Sequence, residues 1–113
     1  FLTDGNTSLF ENMLAIHLRH HYAHELFYYL KDVEVDFYLY DSQIAIQACY
    51  NMSDISTRNR EVGDLIKFAK AFPCKKLYIV TNDEEYEMEE SGFKISVVPL
   101  WKFLILDCLK TEV

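Results

Sequence analysis

Apolar and polar positions along the chain follow two periods, and the points where one gives way to the other mark the elements. Phe10, Met13, Leu14, His17, Leu18 and His21 recur at helical spacing, which predicts a helix from about Leu9 to His24 with one largely apolar stripe aimed at a sheet. Ser8-Leu9-Phe10-Glu11 reads as a capping box at its start, the Ser hydroxyl and the Glu carboxylate each taking a free N–H of the first turn. Leu26 to Leu30 is a short aromatic run that predicts a strand. In Val33 to Tyr40 the period drops to two, with Val33, Val35, Phe37 and Leu39 on one face and Glu34, Asp36 and Tyr38 on the other. Asp41-Ser42 supplies a turn, and in Gln43 to Tyr50 the residues Ile44, Ile46, Ala48 and Tyr50 face opposite to Gln47 and Cys49. These three strands predict an antiparallel meander.

Helical spacing returns with Val62, Leu65, Ile66 and Ala69, predicting an amphipathic helix from about Thr57 to Phe72 that Pro73 closes. The polar stretch Asn51 to Ser56 reads as the turn before it, and Lys76 to Thr81 as a buried-type strand. A strand, a helix and a strand in that order imply a right-handed crossover and parallel pairing with the third strand. Asn82 to Gly92 reads as an acidic loop, Phe93 to Val98 as a further strand, and Trp101 to Leu109 as a closing helix entered through Pro99. The expected class is α/β, a mixed central sheet flanked by helices.

Composition adds bounds. With 113 residues, 50% of them apolar and 15% aromatic, the chain has material for one packed core and too little for two. Eighteen acidic against eleven basic residues leave a net charge of −7, which opposes the broad attraction to phosphate on which non-specific nucleic-acid binding depends. Much of the imbalance sits in Asp83 to Glu90, which holds six carboxylates. That run would attract a basic partner, or would be a solvated hairpin tip that discourages edge pairing. Cys49, Cys74 and Cys108 have no C-x-x-C spacing, so neither a disulfide framework nor a zinc knuckle is indicated and a reducing cytoplasm is the expected location. No apolar run approaches the roughly 18 residues of a membrane span, and the start at Phe1 reads as a domain cut from a longer chain.

The order helix, three meandering strands, helix, strand resembles the core layout of the PD-(D/E)XK nucleases, the restriction-endonuclease-like three-layer fold. In such enzymes an Asp on one strand and the acid of E-x-K on the next bind magnesium, the Lys stabilises developing charge, and a helical Glu often joins them. Here Asp36 stands where the strand Asp belongs, Gln47-Ala48-Cys49 where E-x-K belongs, and Glu11 where the helical Glu belongs. Spacing by two puts residues 47 and 49 on one strand face. Gln offers a neutral carbonyl oxygen in place of a carboxylate, and Cys offers no fixed positive charge. The resemblance therefore implies no catalytic residues at the degenerate positions Glu11, Asp36, Gln47 and Cys49, with Asp36 and Glu11 the remaining candidates for a magnesium ion. A cation migrated from the following helix, Arg58, Arg60 or Lys67, would restore part of what Lys supplies.

More of the chain is similar to the C-terminal domain of an uncharacterised family of prokaryotic AAA-type ATPases. The similarity rests on Leu9-Phe10-Glu11-Asn12-Met13-Leu14, Glu34-Val35-Asp36-Phe37, Ile46-Gln47-Ala48-Cys49-Tyr50, Thr57-Arg58-Asn59-Arg60-Glu61 and Val98-Pro99-Leu100-Trp101-Lys102-Phe103-Leu104. It implies that residues 1–113 are a single nuclease-like domain following a P-loop ATPase. The altered Gln and Cys would then be shared with relatives. No G-x-x-x-x-G-K-[ST] occurs here, so ATP would belong to the missing N-terminal domain. The expected function is a non-catalytic recognition or assembly module. Its partners would be its own ATPase domain and a further protein or another copy of itself, with DNA disfavoured by charge. The alternative is a magnesium-dependent nuclease acting on DNA through a rearranged site.

Plainer readings stand beside several of these residues. Glu34 and Asp36 would make a metal pair or the solvated face of a half-buried strand, the second being the commoner arrangement for alternating strands, and Glu11 is accounted for by capping. His17, His20, His21 and His24 form two i,i+4 pairs suited to zinc or nickel, or a core pair beside a solvated pair. Cys49 reads as a small buried hydrophobe rather than a reactive thiol. Tyr22, Tyr28, Tyr29, Tyr38 and Tyr40 read as packing groups in preference to base-stacking platforms, since no Lys or Arg interleaves them.

Overall fold

The computed structural model describes residues 5–24, 26–29 and 35–106. In chain order the elements are α1 (Gly5–Tyr22), β1 (Leu26–Tyr29), β2 (Val35–Leu39), β3 (Ile44–Ala48), α2 (Ile55–Ala71), β4 (Lys76–Thr81), β5 (Tyr86–Glu90), β6 (Phe93–Pro99) and α3 (Leu100–Leu106). The strands form one mixed sheet in the order β1-β2-β3-β4-β6-β5. β1, β2 and β3 are the antiparallel meander, and β3 pairs parallel with β4 across α2, as the sequence predicts. β4 pairs parallel with β6, and β5 pairs antiparallel with β6.

Every residue of β3 is buried, as is every residue of β4 after Lys76. A strand buried on both faces needs a layer over each. On one side Phe10, Leu14, Leu18 and Tyr22 of α1, with Leu100 and Phe103 of α3, pack on Phe37, Leu39, Ile44, Ile46, Tyr78 and Val80. On the other, Val62, Leu65, Ile66 and Phe68 of α2 pack on Ala45, Cys49, Leu77, Ile79, Ile95 and Val97. The chain is thus an α/β domain with a mixed sheet between two helical layers. Among the described residues, no helix is long and apolar enough to cross a membrane.

The boundaries differ from the sequence expectation for physical reasons. α1 begins at Gly5, so Ser8 and Glu11 lie inside the helix and the capping box is not its start. Asp54 is the N-cap of α2, its carboxylate accepting from the Thr57 N–H at 2.9 Å, which moves the helix start back from Thr57 to Ile55. That hydrogen bond, with one from the Ser56 hydroxyl, holds the Asp54 carboxyl below its ordinary range. The supposed acidic loop contains β5. Tyr86 and Met88 pack against the α2-side core while Glu87 and Glu89 are exposed, and Ser91-Gly92 makes the two-residue turn into β6. Leu30, Val33 and Glu34 of the expected strands, and residues 107–109 of the closing helix, lie outside the described residues, as does Cys108.

Gly92 has φ +83°, whereas Gly63 lies within α2 and a methyl group added there would meet nothing within 4 Å. Gly92→Val is expected to lower stability by about 1–2 kcal/mol, and Gly63→Ala to raise it by about 0.5–1 kcal/mol. Urea denaturation of the two variants beside the parent checks the opposite signs.

Candidate functional site

Two of the positions singled out in the sequence, Asp36 and Gln47, meet where β2 and β3 part. The described β2–β3 ladder runs from Leu39↔Ile44 to Phe37↔Ile46, and the next step is made by side chains. The Asp36 N–H donates to Gln47 Oε1 at 2.9 Å, and the Ala48 N–H donates to Asp36 Oδ2 at 2.8 Å. Each side chain satisfies backbone on the other strand, so the pair forms a reciprocal clasp that extends the pairing beyond the ladder. On its far side β3 stays tied to β4, the Cys49 N–H donating to the Val80 carbonyl at 2.9 Å and the Asn82 N–H to the Tyr50 carbonyl at 3.0 Å.

A bulge places Asp36 at this point. From Phe27 to Tyr29 the strand β1 advances two residues while its partner β2 covers three, from Tyr38 to Val35. The extra residue falls at Asp36-Phe37 and reverses the alternation below it. Val35 accordingly packs with Tyr38 in the α2-side core, not with Phe37 and Leu39 as simple alternation predicts. Gln47 and Cys49 do share a face, as expected, and Ala48 and Tyr50 take the other.

Gln47 is only 2% exposed, and its carbonyl oxygen is engaged by the Asp36 N–H. Cys49 is buried, its thiol lies 3.4 Å from the Asn51 carbonyl, and burial pushes its pKa up to about 11, with Glu61 adding to the rise. At neutral pH position 49 therefore carries a neutral thiol, neither a nucleophile nor a cation. Cys74 is likewise pushed up to about 11 by burial.

The structure adds two acids that the sequence reading did not single out for the site. Glu61, on α2, is largely buried, and burial raises its carboxyl pKa despite a 3.1 Å bond from Arg60. The nearby Asp36 carboxylate raises it further. Its sequence signal was its place four residues before Leu65 and seven before Phe68, on the stripe that packs on the sheet. Glu84 accepts from the Met52 N–H at 2.7 Å, and the Thr81 hydroxyl hydrogen-bonds the Glu84 backbone on both sides. No local pattern announces a contact between segments that distant.

Other candidates lie elsewhere. Glu11 is exposed on α1, in the layer across the sheet from Gln47 and Cys49. Of the cations on α2, Arg60 is close enough to act on the Cys49 thiol, whereas Arg58 sits over the Tyr86 ring at 5.8 Å and Lys67 lines a groove toward β5. His17 and His21 have ring centroids 4.5 Å apart, and His17 also packs edge-on to Phe103 at 5.8 Å. Among the described residues, no three His, Cys, Asp or Glu side chains are grouped to hold a metal ion. Tyr38 is a core residue, edge-on to Phe68 at 4.8 Å, with its hydroxyl donating to the Pro73 carbonyl at 2.6 Å.

Comparisons of the chain with protein-family models, with curated proteins and with solved structures found no match.

Asp36→Ala leaves the Ala48 N–H without its carboxylate and is expected to lower stability by about 1–3 kcal/mol. Asp36→Asn, which keeps an acceptor oxygen, should lose less, and chemical denaturation ranks the two. A second expectation concerns pH. Because the folded state raises the Glu61 pKa, the stability associated with its protonated form is complete below the unfolded carboxylate value of about 4.3 and is lost as pH rises through the folded value. Glu61→Gln imitates the protonated form. It is expected to raise the thermal midpoint at pH 7 and to make little difference at about pH 4, which melting curves across that interval test.

Proposed function

We propose that the chain is a restriction-endonuclease-like scaffold serving as a non-catalytic recognition or assembly module at the C-terminus of an AAA-type ATP-binding protein. The observation that carries this reading is the reciprocal clasp. The two side chains at the positions where a nuclease of that class would present metal ligands are engaged with the backbone of the opposite strand. A buried neutral amide in place of the second acid gives a hard dication little to bind. A thiol that stays protonated near neutrality supplies no positive charge to a phosphoryl transition state. The element order, with a meander leading through a helix into a parallel strand, supports the scaffold half of the proposal. The ATPase half rests on the sequence resemblance. In this reading the domain works in the cytoplasm, binds no ATP itself, and engages its own ATPase domain together with a protein partner or a second copy.

One observation favours the alternative of a magnesium-dependent nuclease with a rearranged site. Glu61 is brought close enough to Asp36 for the two carboxylates to feel one another, and a pair of acids is the usual start of a magnesium site. Incubation with supercoiled plasmid and magnesium or manganese separates the two readings. No nicking by the domain or its full-length parent is expected. Nicking abolished by Asp36→Ala, and again by Glu61→Gln, would replace the binding module with the nuclease.

A further inference from the structure

β5 is an edge strand, and its two faces differ in character. Among the described residues it pairs with β6 alone. The Ser91-Gly92 turn makes Glu90↔Phe93 the first hydrogen-bonded pair, so alternate residues bond to β6 and the N–H and C=O groups of Glu87 and Glu89 point to the open edge. On the α2 side, Tyr86 and Met88 pack into the core. On the opposite face stand the exposed carboxylates of Glu87 and Glu89.

Beside Met88 a groove of about 460 Å³ opens between β5 and α2. Its apolar lining includes Val62 and Ile66, and its rim carries Arg58, Lys67 and Lys70 against one carboxylate, that of Glu90. The three cations are exposed, a concentration of positive charge on a chain whose net charge is −7. An open backbone edge bordered by such a groove has the features used in strand addition, where main-chain bonds give affinity and pockets for alternate side chains give specificity.

We propose that the β5 edge and this groove bind an extended protein segment as an additional antiparallel strand, with acidic and apolar side chains on its groove side and basic side chains on the other. Charge decides the occupant. Acidic groups on the groove side meet Arg58, Lys67 and Lys70, while basic groups on the opposite side meet Glu87 and Glu89 across the new strand pair. A second copy of β5 in antiparallel register would set glutamates of one chain against glutamates of the other, which like-charge repulsion opposes. The segment therefore comes from a different sequence. This inference rests on reading the domain as a recognition module and adds the surface and the chemistry of what is recognised.

The test uses a fluorescein-labelled peptide, Thr-Asp-Lys-Ile-Lys-Asp-Thr, titrated with the 113-residue chain and followed by anisotropy at low salt. In the proposed pairing the two Lys residues stand opposite Glu87 and Glu89 and exchange backbone bonds with them, while the Asp and Ile amides point away. N-methylation of both Lys amides is expected to weaken binding at least about tenfold. N-methylation of the Asp and Ile amides is expected to change it less than about threefold. Lys67→Glu combined with Lys70→Glu should weaken the parent peptide about tenfold, and the Glu87 and Glu89 amides should gain protection from hydrogen exchange in the complex. Two results would overturn the proposal: no anisotropy change up to about 1 mM protein, a concentration that detects even a contact of roughly −4 kcal/mol, or equal affinity for the two methylated peptides. Either result with the plasmid still uncut would leave the recognition reading in place and remove this surface from it, whereas Asp36-dependent nicking would remove the recognition reading itself.

Discussion

β3 and β4 are apolar on both faces, and a parallel pair of that kind is stable only between two layers of structure. That constraint sets the rest of the architecture. It requires the α2 connection to cross one face of the sheet and leaves the other to α1 and α3, so that each helix buries one stripe and exposes the remainder. It also fixes where polar chemistry can appear. Among the described residues the buried polar side chains are Gln47 and Thr81, each in the last two positions of its strand. Both are hydrogen-bonded where ladder geometry gives out, Gln47 to Asp36 and Thr81 to the turn at Glu84.

The clasp between Asp36 and Gln47 follows from the same constraint. β3 is held by β4 on one edge beyond the point where β2 leaves on the other, so the Ala48 N–H on the β2 side needs an acceptor that the bulged strand no longer supplies. Asp36 provides it. Gln47 returns the favour to the Asp36 N–H without adding charge, and charge matters here, because the Asp36 carboxylate already helps to raise the Glu61 pKa. A glutamate at position 47 would be a third carboxylate there, and a fully buried one. Neutral Gln and neutral Cys keep further charge out of this acidic corner, where Arg60 is the neighbouring cation.

What could be read from the sequence was whatever a short-range period carries. The Phe10–Leu18 stripe, the alternation of Ile44 to Tyr50 and the Val62–Ala69 stripe predicted α1, β3 and α2, and the parallel β3–β4 pairing followed from their order. β5 was missed because its charged residues masked the alternation of Tyr86 and Met88, although Ser91-Gly92 was a two-residue hairpin signal. Val35 went to the wrong face because a bulge is invisible to a period-two count. At the site, the meeting of positions 36 and 47 was legible from strand order. Glu61 was not, since its relation to Asp36 depends on how α2 lies across the sheet.

The uneven distribution of charge has a physical logic once β5 is recognised as a strand. A loop of six carboxylates is only a solvated excursion, but a strand that sends alternate residues to opposite faces sorts its charges. Glu87 and Glu89 fall together on one side, while on the other Arg58, Lys67 and Lys70 of α2 outnumber Glu90. The edge thereby discourages pairing with itself, which an exposed strand must do to stay soluble. The sorting that excludes a second glutamate edge does not exclude a strand whose charges alternate the other way. Protection against aggregation and selectivity for a partner are then two consequences of one pattern, both carried by five residues at the margin of the sheet, away from the corner where the sequence alone directed attention.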